Sequence, residues 1–172
     1  MQLKYSTNEL KLVKKILHEL YIKETLSIYK PEFIYLISAE WTGEELTGVF
    51  KLEHYPFTKE EHLDYVTASM YMLYLSQIGY VLIRILCEEN RIPLPLEEFF
   101  YLRDIGNILF IGFDSLKFKE KVLIARKYLK LRIRIKRMKA LGKGIIGQIA
   151  FNAEEKFIGN AKVIILFDKN TK

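Results

Sequence analysis

From Tyr65 to Ile83 the chain carries no Asp, Glu, Lys or Arg. This uncharged run lies within Thr58–Leu86, and apolar side chains fall on every face of its helical wheel. A helix that is apolar all round is buried, in a protein core or in a membrane. Thr67, Ser69, Ser76, Gln77 and Gly79 scattered through it make a poor lipid-facing surface. The uncharged run also falls short of the ~20 residues that a bilayer requires. The run therefore predicts a central helix enclosed by the rest of the protein. Its start is marked by a capping pattern, with Thr58 placed to accept the N–H of Glu61 and Glu61 to reach back to Thr58. Glu60, Glu61 and Asp64 would then complement the positive end of the helix dipole.

A chain of 172 residues, half of them hydrophobic and 28% charged, suits one globular domain. The expected layout is a single domain over residues 1–172, with a helical extension over 1–30 and the core over 31–168. The one cysteine, Cys87, excludes an internal disulfide framework and fits a reducing compartment. The N-terminus has no apolar secretory signal, so a cytoplasmic location is expected. Charge is uneven. Between Lys119 and Lys143 there are eleven Lys or Arg and a single acid, Glu120, although the whole chain carries a net charge of only +6.

Ser6 and Glu9 form a second capping pair, and Leu10, Val13, Leu17 and Leu20 follow at helical spacing. This predicts an amphipathic helix to about Tyr29, stopped before Pro31. The run 33–39 reads as a strand, Trp41 to Glu45 as a turn, and 46–52 as a second strand, giving a hairpin. After the central helix, Ile92-Pro-Leu-Pro-Leu96 is a stiff extended connector, and 96–103 suits a short helix. Strands are predicted over 107–115, 122–138, 144–151 and 157–167. The third-last alternates most clearly, with Leu129, Leu131, Ile133 and Ile135 facing one way and Tyr128, Lys130, Arg132, Arg134 and Lys136 the other. Short connections imply antiparallel neighbours. An antiparallel sheet of about six strands wrapped around one long helix is the α+β hotdog fold.

Four segments sharpen this: Tyr35-Leu-Ile-Ser-Ala39, Leu46-Thr-Gly-Val-Phe50, Gln77-Ile-Gly-Tyr80 and Lys156-Phe-Ile-Gly-Asn-Ala161. Together they resemble the FcoT-like branch of hotdog proteins, long-chain fatty acyl-CoA thioesterases and their relatives, over roughly residues 29–166. The resemblance implies a homodimer or higher homo-oligomer that cleaves a thioester without a Ser or Cys nucleophile. It also implies that Tyr29 and Tyr55 lie near the thioester, and that Gln77 and Tyr80 bind substrate. Where relatives carry helix asparagines, this chain has Thr67 and Ser76, hydroxyls that cannot imitate both ends of an amide.

Thioester hydrolysis needs an aimed water and an oxyanion donor. Asp64 is the carboxylate expected to hold the water, with Glu60 and Glu61 as substitutes, and Tyr55 the phenol expected to donate. His62 offers a dehydratase-type base as an alternative. The basic face of Lys130, Arg132, Arg134 and Lys136 suits the phosphates of coenzyme A or an acidic acyl carrier protein, and equally a solvated surface. No spacing of ligands suggests a metal, and no nucleophile elbow, Walker loop or dinucleotide fingerprint is present. The expected function is therefore acyl-thioester hydrolysis, with coenzyme A or phosphopantetheine entering only as part of the substrate. No nucleic acid and no membrane insertion are expected. A silent acyl-thioester-binding module is the non-enzymatic alternative.

Overall fold

The computed structural model describes residues 15–54 and 64–167. The elements are β1 (Lys15–Leu17), α1 (Glu19–Thr25), β2 (Leu36–Trp41), β3 (Glu45–Lys51), α2 (Ala68–Glu88), α3 (Leu96–Asp104), β4 (Ile108–Phe118), β5 (Tyr128–Leu141), β6 (Gly144–Ala153) and β7 (Phe157–Leu166). All strands join one antiparallel sheet in the order β1-β2-β3-β5-β6-β7-β4. The sheet wraps α2, and the chain has the hotdog fold. Six strands match the expectation, and β1 adds a seventh.

The inward set is the one that alternation predicts. Leu46 and Phe50 of β3, Leu129, Leu131 and Ile133 of β5, and Ile145, Ile149 and Phe151 of β6 are buried against the helix. Its own Tyr74, Ile78, Val81 and Ile85 are fully enclosed. Gly48 marks the closest approach of β3 to α2. A Cβ there would stand 2.7 Å from a Leu36 methyl and 2.9 Å from an Ile78 methyl, so any larger residue would push those side-chain ends aside. Among the described residues α2 is the one helix long and apolar enough to cross a membrane, and 78% of its most apolar window is buried within the protein.

The structure departs from three sequence expectations. First, α2 begins at Ala68, not at Thr58. The Thr58–Glu61 pair lies outside the described residues, but residues 64–66 are plainly extended. Tyr65 bridges to Leu123, Val66 N–H donates to Val122 O, and Ile124 N–H donates to Asp64 O. That ladder takes the backbone groups a helix would use, and Thr67 becomes the true cap, its Oγ1 accepting from Met70 N–H at 3.3 Å. Second, the N-terminal segment is no continuous helix. Lys15–Leu17 pairs with Ala39–Trp41, and among the described residues before Pro31 Glu19–Thr25 is the helical part; Ser6, Glu9, Leu10 and Val13 lie outside them. Leu17 is then buried, whereas Leu20, expected on the apolar face, is 80% exposed. Edge pairing overrides the helical pattern. Third, the alternation of β5 starts at Tyr128 and changes phase where the register shifts between Ile135 and Arg137. Ile135 loses its enclosure and Met138 takes the inward place.

Polar clamps fix the helix in the sheet. Gln77, fully buried, accepts from Tyr35 N–H (3.0 Å) and Leu36 N–H (3.1 Å) and donates to Phe33 O (2.6 Å). Near the other end Arg84 lies 3.8 Å from the centre of the Tyr21 ring and pairs with Glu88 (2.9 Å) and Glu24 (2.8 Å). At the C-cap of α2, Trp41 Nε1 donates to Glu89 Oε1 at 2.7 Å.

Candidate functional site

On the flank of α2 that turns toward β4, Ser76, Gly79, Tyr80 and Ile83 repeat at helical spacing and meet Ile108 and Leu109. They enclose a pocket of about 260 Å³, with β4 at the sheet edge as its outer wall. Two hydroxyls enter an otherwise apolar lining. Tyr80 donates to Ile108 O at 3.4 Å, and the Ser76 hydroxyl lies beside the phenol of Tyr29, where it works to lower that phenol's pKa. Tyr29 packs edge to face on Tyr80 behind that pair. Burial pushes both phenols above their ordinary pKa. For Tyr29 the neighbouring Tyr80 adds to the rise and Ser76 opposes it, while for Tyr80 the charge of Arg103 opposes it. Both are therefore neutral donors near pH 7 and cannot act as bases.

The predicted site residues separate into three groups. Tyr29, Ser76 and Tyr80 come together at this pocket, though the chain places Tyr29 far from the other two in sequence. Gln77, their neighbour, turns the other way and is consumed by the backbone of residues 33–36. Asp64 and Thr67 form a second group at the start of α2. Asp64 is exposed and sits before the cap rather than in the second turn. At 1.5 Å per residue, Thr67 lies about 14 Å along the axis from Ser76, so Asp64 cannot hold water at the pocket of its own chain. Tyr55 and His62, with Glu60 and Glu61, lie outside the described residues.

The third group, Lys130, Arg132, Arg134 and Lys136, is exposed on the face of the sheet turned away from α2. The sheet stands between it and the α2–β4 pocket. Arg132 and Arg134 line a broad groove of about 490 Å³ on that outer face, with Lys117, Ser115, Asn152 and Asn160. Sequence reasoning missed Gly79, Ile83, Ile108 and Leu109 of the pocket. The period from Ser76 through Gly79, Tyr80 and Ile83 was the available signal for the helical part. Nothing in the sequence joins Ser115 or Asn160 to Arg132, since strand order brings them together. Cys87 is buried, and burial pushes its thiol up to about 12, as expected of a core cysteine. Among the described residues no cluster of His, Cys, Asp or Glu could hold a metal.

No family model matches the sequence, and no curated protein is similar to it. Solved structures do share the fold. The dehydratase domain of RzxB from Pseudomonas fluorescens is 11% identical with a TM-score of 0.52, the match covering 97% of this chain and 52% of that one. An inactive mutant of the CurJ dehydratase, solved with a bound compound, is 10% identical with a TM-score of 0.52 over 89% of this chain and 47% of that one. The chain spans about half the length of these dehydratases. Identities this low establish the hotdog fold alone.

Proposed function

We propose that this chain binds an acyl thioester in the α2–β4 pocket. The observation that carries the reading is the pair of hydroxyls, Ser76 and Tyr80, set in a wall of Gly79, Ile83, Ile108 and Leu109, with Tyr29 packed behind them. A thioester carbonyl takes the hydroxyl donors, Tyr80 exchanging its long 3.4 Å bond to Ile108 O for the ligand, and the alkyl chain takes the apolar side. About 260 Å³ lies below the usual range of ~300–1,000 Å³ for small-molecule sites, which favours a short acyl group over the long chain that the family resemblance implies.

Hydrolysis is the reaction this reading extends to. Among the described residues no carboxylate or imidazole lines the pocket, so water activation calls on a second copy. The unpaired edge of β4, where Leu109, Phe113, Leu116 and Phe118 are 36–50% exposed, supports such an association. Sedimentation at micromolar concentration should give a dimer or larger species, and Leu109→Lys with Leu116→Lys should shift it toward monomer. A wild-type monomer would remove the shared site.

The direct test is mass spectrometry of the purified protein for co-purified acyl groups, followed by titration with butyryl- and palmitoyl-coenzyme A. Binding should favour the shorter chain, and Tyr80→Phe should weaken it about 3- to 10-fold, the scale of one neutral hydrogen bond. Thiol release reports hydrolysis. Because the structural neighbours are dehydratases, a hydroxyacyl thioester is assayed for dehydration alongside. Binding without either reaction identifies the silent module, and no binding overturns the proposal.

A further inference from the structure

The outer-face groove does not belong to the acyl pocket, and its side chains have a chemistry of their own. It is built across four strands by register. Arg134 stands beside Ala150, Ala150 beside Asn160, and Asn160 beside Ser115. One step along the sheet, Arg132 stands beside Asn152, Asn152 beside Ile158, and Ile158 beside Lys117. With strands about 4.8 Å apart, the two rows run roughly 14 Å from β5 to β4. Ala150 leaves the middle of the first row low. A floor of that length flanked by cations is the size of a mononucleotide.

Several neighbouring cations are already engaged. Lys162 pairs with Asp114 (2.6 Å), Arg126 with Glu154 (2.5 Å), Lys156 with Glu120 (3.0 Å) and Lys119 more loosely with Glu155 (3.9 Å). Lys117, Arg132 and Arg134 make no ion pair or hydrogen bond among the described residues, and they are the three cations of the groove. Two acids also line it. Glu155 is held by the Asn152 side chain and Lys119, which leaves Glu45 as the carboxylate free to oppose an anion. The unengaged charge therefore favours a dianion or larger.

A second feature is independent of charge. Asn160 Nδ2 donates to Ser115 Oγ at 2.8 Å, but Asn160 Oδ1 is buried with no partner. An unsatisfied buried acceptor is destabilising, and a donor brought by a ligand would recover that loss. The groove thus presents guanidinium and ammonium groups for phosphate, and beside them an amide oxygen that a ligand's hydroxyl or amino group reaches once the Asn160 side chain turns outward. Planar guanidinium forks suit phosphate oxygens in particular.

We infer that this groove binds a phosphorylated small molecule of nucleotide size, its phosphates on Arg132, Arg134 and Lys117 and a hydroxyl or amino donor of the same molecule on Asn160. The site goes beyond the acyl-thioester reading and stands on the opposite face of the sheet, so both ligands can be held at once.

Calorimetry with the full chain tests it, using ADP, inorganic pyrophosphate and adenosine as probes. ADP should bind, and adenosine at least tenfold more weakly. Arg132→Gln with Arg134→Gln should raise the Kd for ADP at least tenfold, while Lys139→Gln, exposed on the same strand outside the groove, should change it less than twofold. Asn160→Leu should weaken ADP severalfold and leave pyrophosphate unchanged, which separates the amide contact from the charge. Arg132, Arg134 and Lys139 are exposed and Asn160 is half-buried on the inner strand β7, so thermal melts check that each variant folds. Saturating acyl-pantetheine should not displace ADP, so failure of this site and failure of the acyl pocket read out separately. The inference is overturned if ADP does not bind at millimolar concentration or if the arginine pair is irrelevant to it. An equal loss in Lys139→Gln, displacement by acyl-pantetheine, or affinity that grows with oligonucleotide length would also overturn it.

Discussion

Tyr29 and Tyr80 meet edge to face, with ring centroids 6.3 Å apart and planes inclined by 69°. Their contact joins the segment before β2 to the middle of α2, and burial raises both phenol pKa values. Tyr21, Tyr71 and Tyr74 are raised as well, in each case first by burial, with Tyr71 reaching about 12. A raised folded pKa means that the native chain keeps protons which the unfolded chain releases above pH 10. Stability from these groups is intact below pH 10 and is lost as pH climbs past it. Urea midpoints should therefore begin to fall near pH 9, where the unfolded Cys87 thiol ionises, and fall more steeply between pH 10 and 11 as the phenols join it. Ultraviolet titration of the native protein should leave Tyr21, Tyr29, Tyr71 and Tyr74 largely unionised at pH 11.

Replacing Gln77 should be far more damaging than its polar character suggests. Gln77→Leu leaves two buried N–H groups and the Phe33 carbonyl without their partner. At about 1–3 kcal/mol for each orphaned group, a loss of at least ~3 kcal/mol is expected. Chemical denaturation should show it, and the amides of Tyr35 and Leu36 should lose protection from hydrogen exchange.

Tyr74 behaves in the opposite sense. Its ring is fully buried against Phe50, with centroids 4.8 Å apart, yet its hydroxyl has no hydrogen-bond partner. Tyr74→Phe keeps the ring and removes the unsatisfied group, so stability should stay level or rise by up to ~1–2 kcal/mol. A clear loss in the thermal melt would show that the hydroxyl is bonded in solution.

The buried end of the Arg84 network sets the acid limit. Burial works against the Glu88 carboxylate, but hydrogen bonds from Arg84, Lys15 and Tyr21 outweigh it and hold its pKa below the ordinary 4.5. A depressed carboxylate contributes stability above pH 4.5 that disappears as pH falls through the folded value. Glu88→Gln should be less stable than the parent at pH 7 and should lose less between pH 5 and 3. Parallel acid titrations of the two proteins would reveal a converging pair of curves.

Much of this architecture was legible because it rests on local periodicity. The alternation at Leu129, Leu131 and Ile133, and the lack of charge from Tyr65 to Ile83, describe the same core from its two sides. The misread elements share one cause. Val66 is extended because Val122 accepts its N–H, and Lys15–Leu17 is a strand because β2 offers an edge. Neither partner is near in sequence, so local propensity had nothing to register. The same holds for function. Family resemblance brought Tyr29, Ser76 and Tyr80 into one group, and the fold does assemble them. Asp64 rests instead on an expected place in the second turn of the helix, and the later start of α2 at Ala68 leaves it outside. The groove residues Ser115 and Asn160 are joined to Arg134 only through the order of strands.

The strand order also has a consequence in time. β4 pairs with β7 and with no other strand, and β7 is the last strand of the sheet. On a ribosome adding about 5–20 residues per second, the interval from Phe118 to Phe157 amounts to roughly 2–8 s. Throughout it Ile108 has no Ile165 beside it, and the exposed Leu116 and Phe118 have no ladder to hold them. A nascent chain paused in that window presents an adhesive, unpaired ribbon to other nascent chains or to a holdase. Slowing elongation between β4 and β7 should therefore raise aggregation in the cell without altering the stability of the finished molecule.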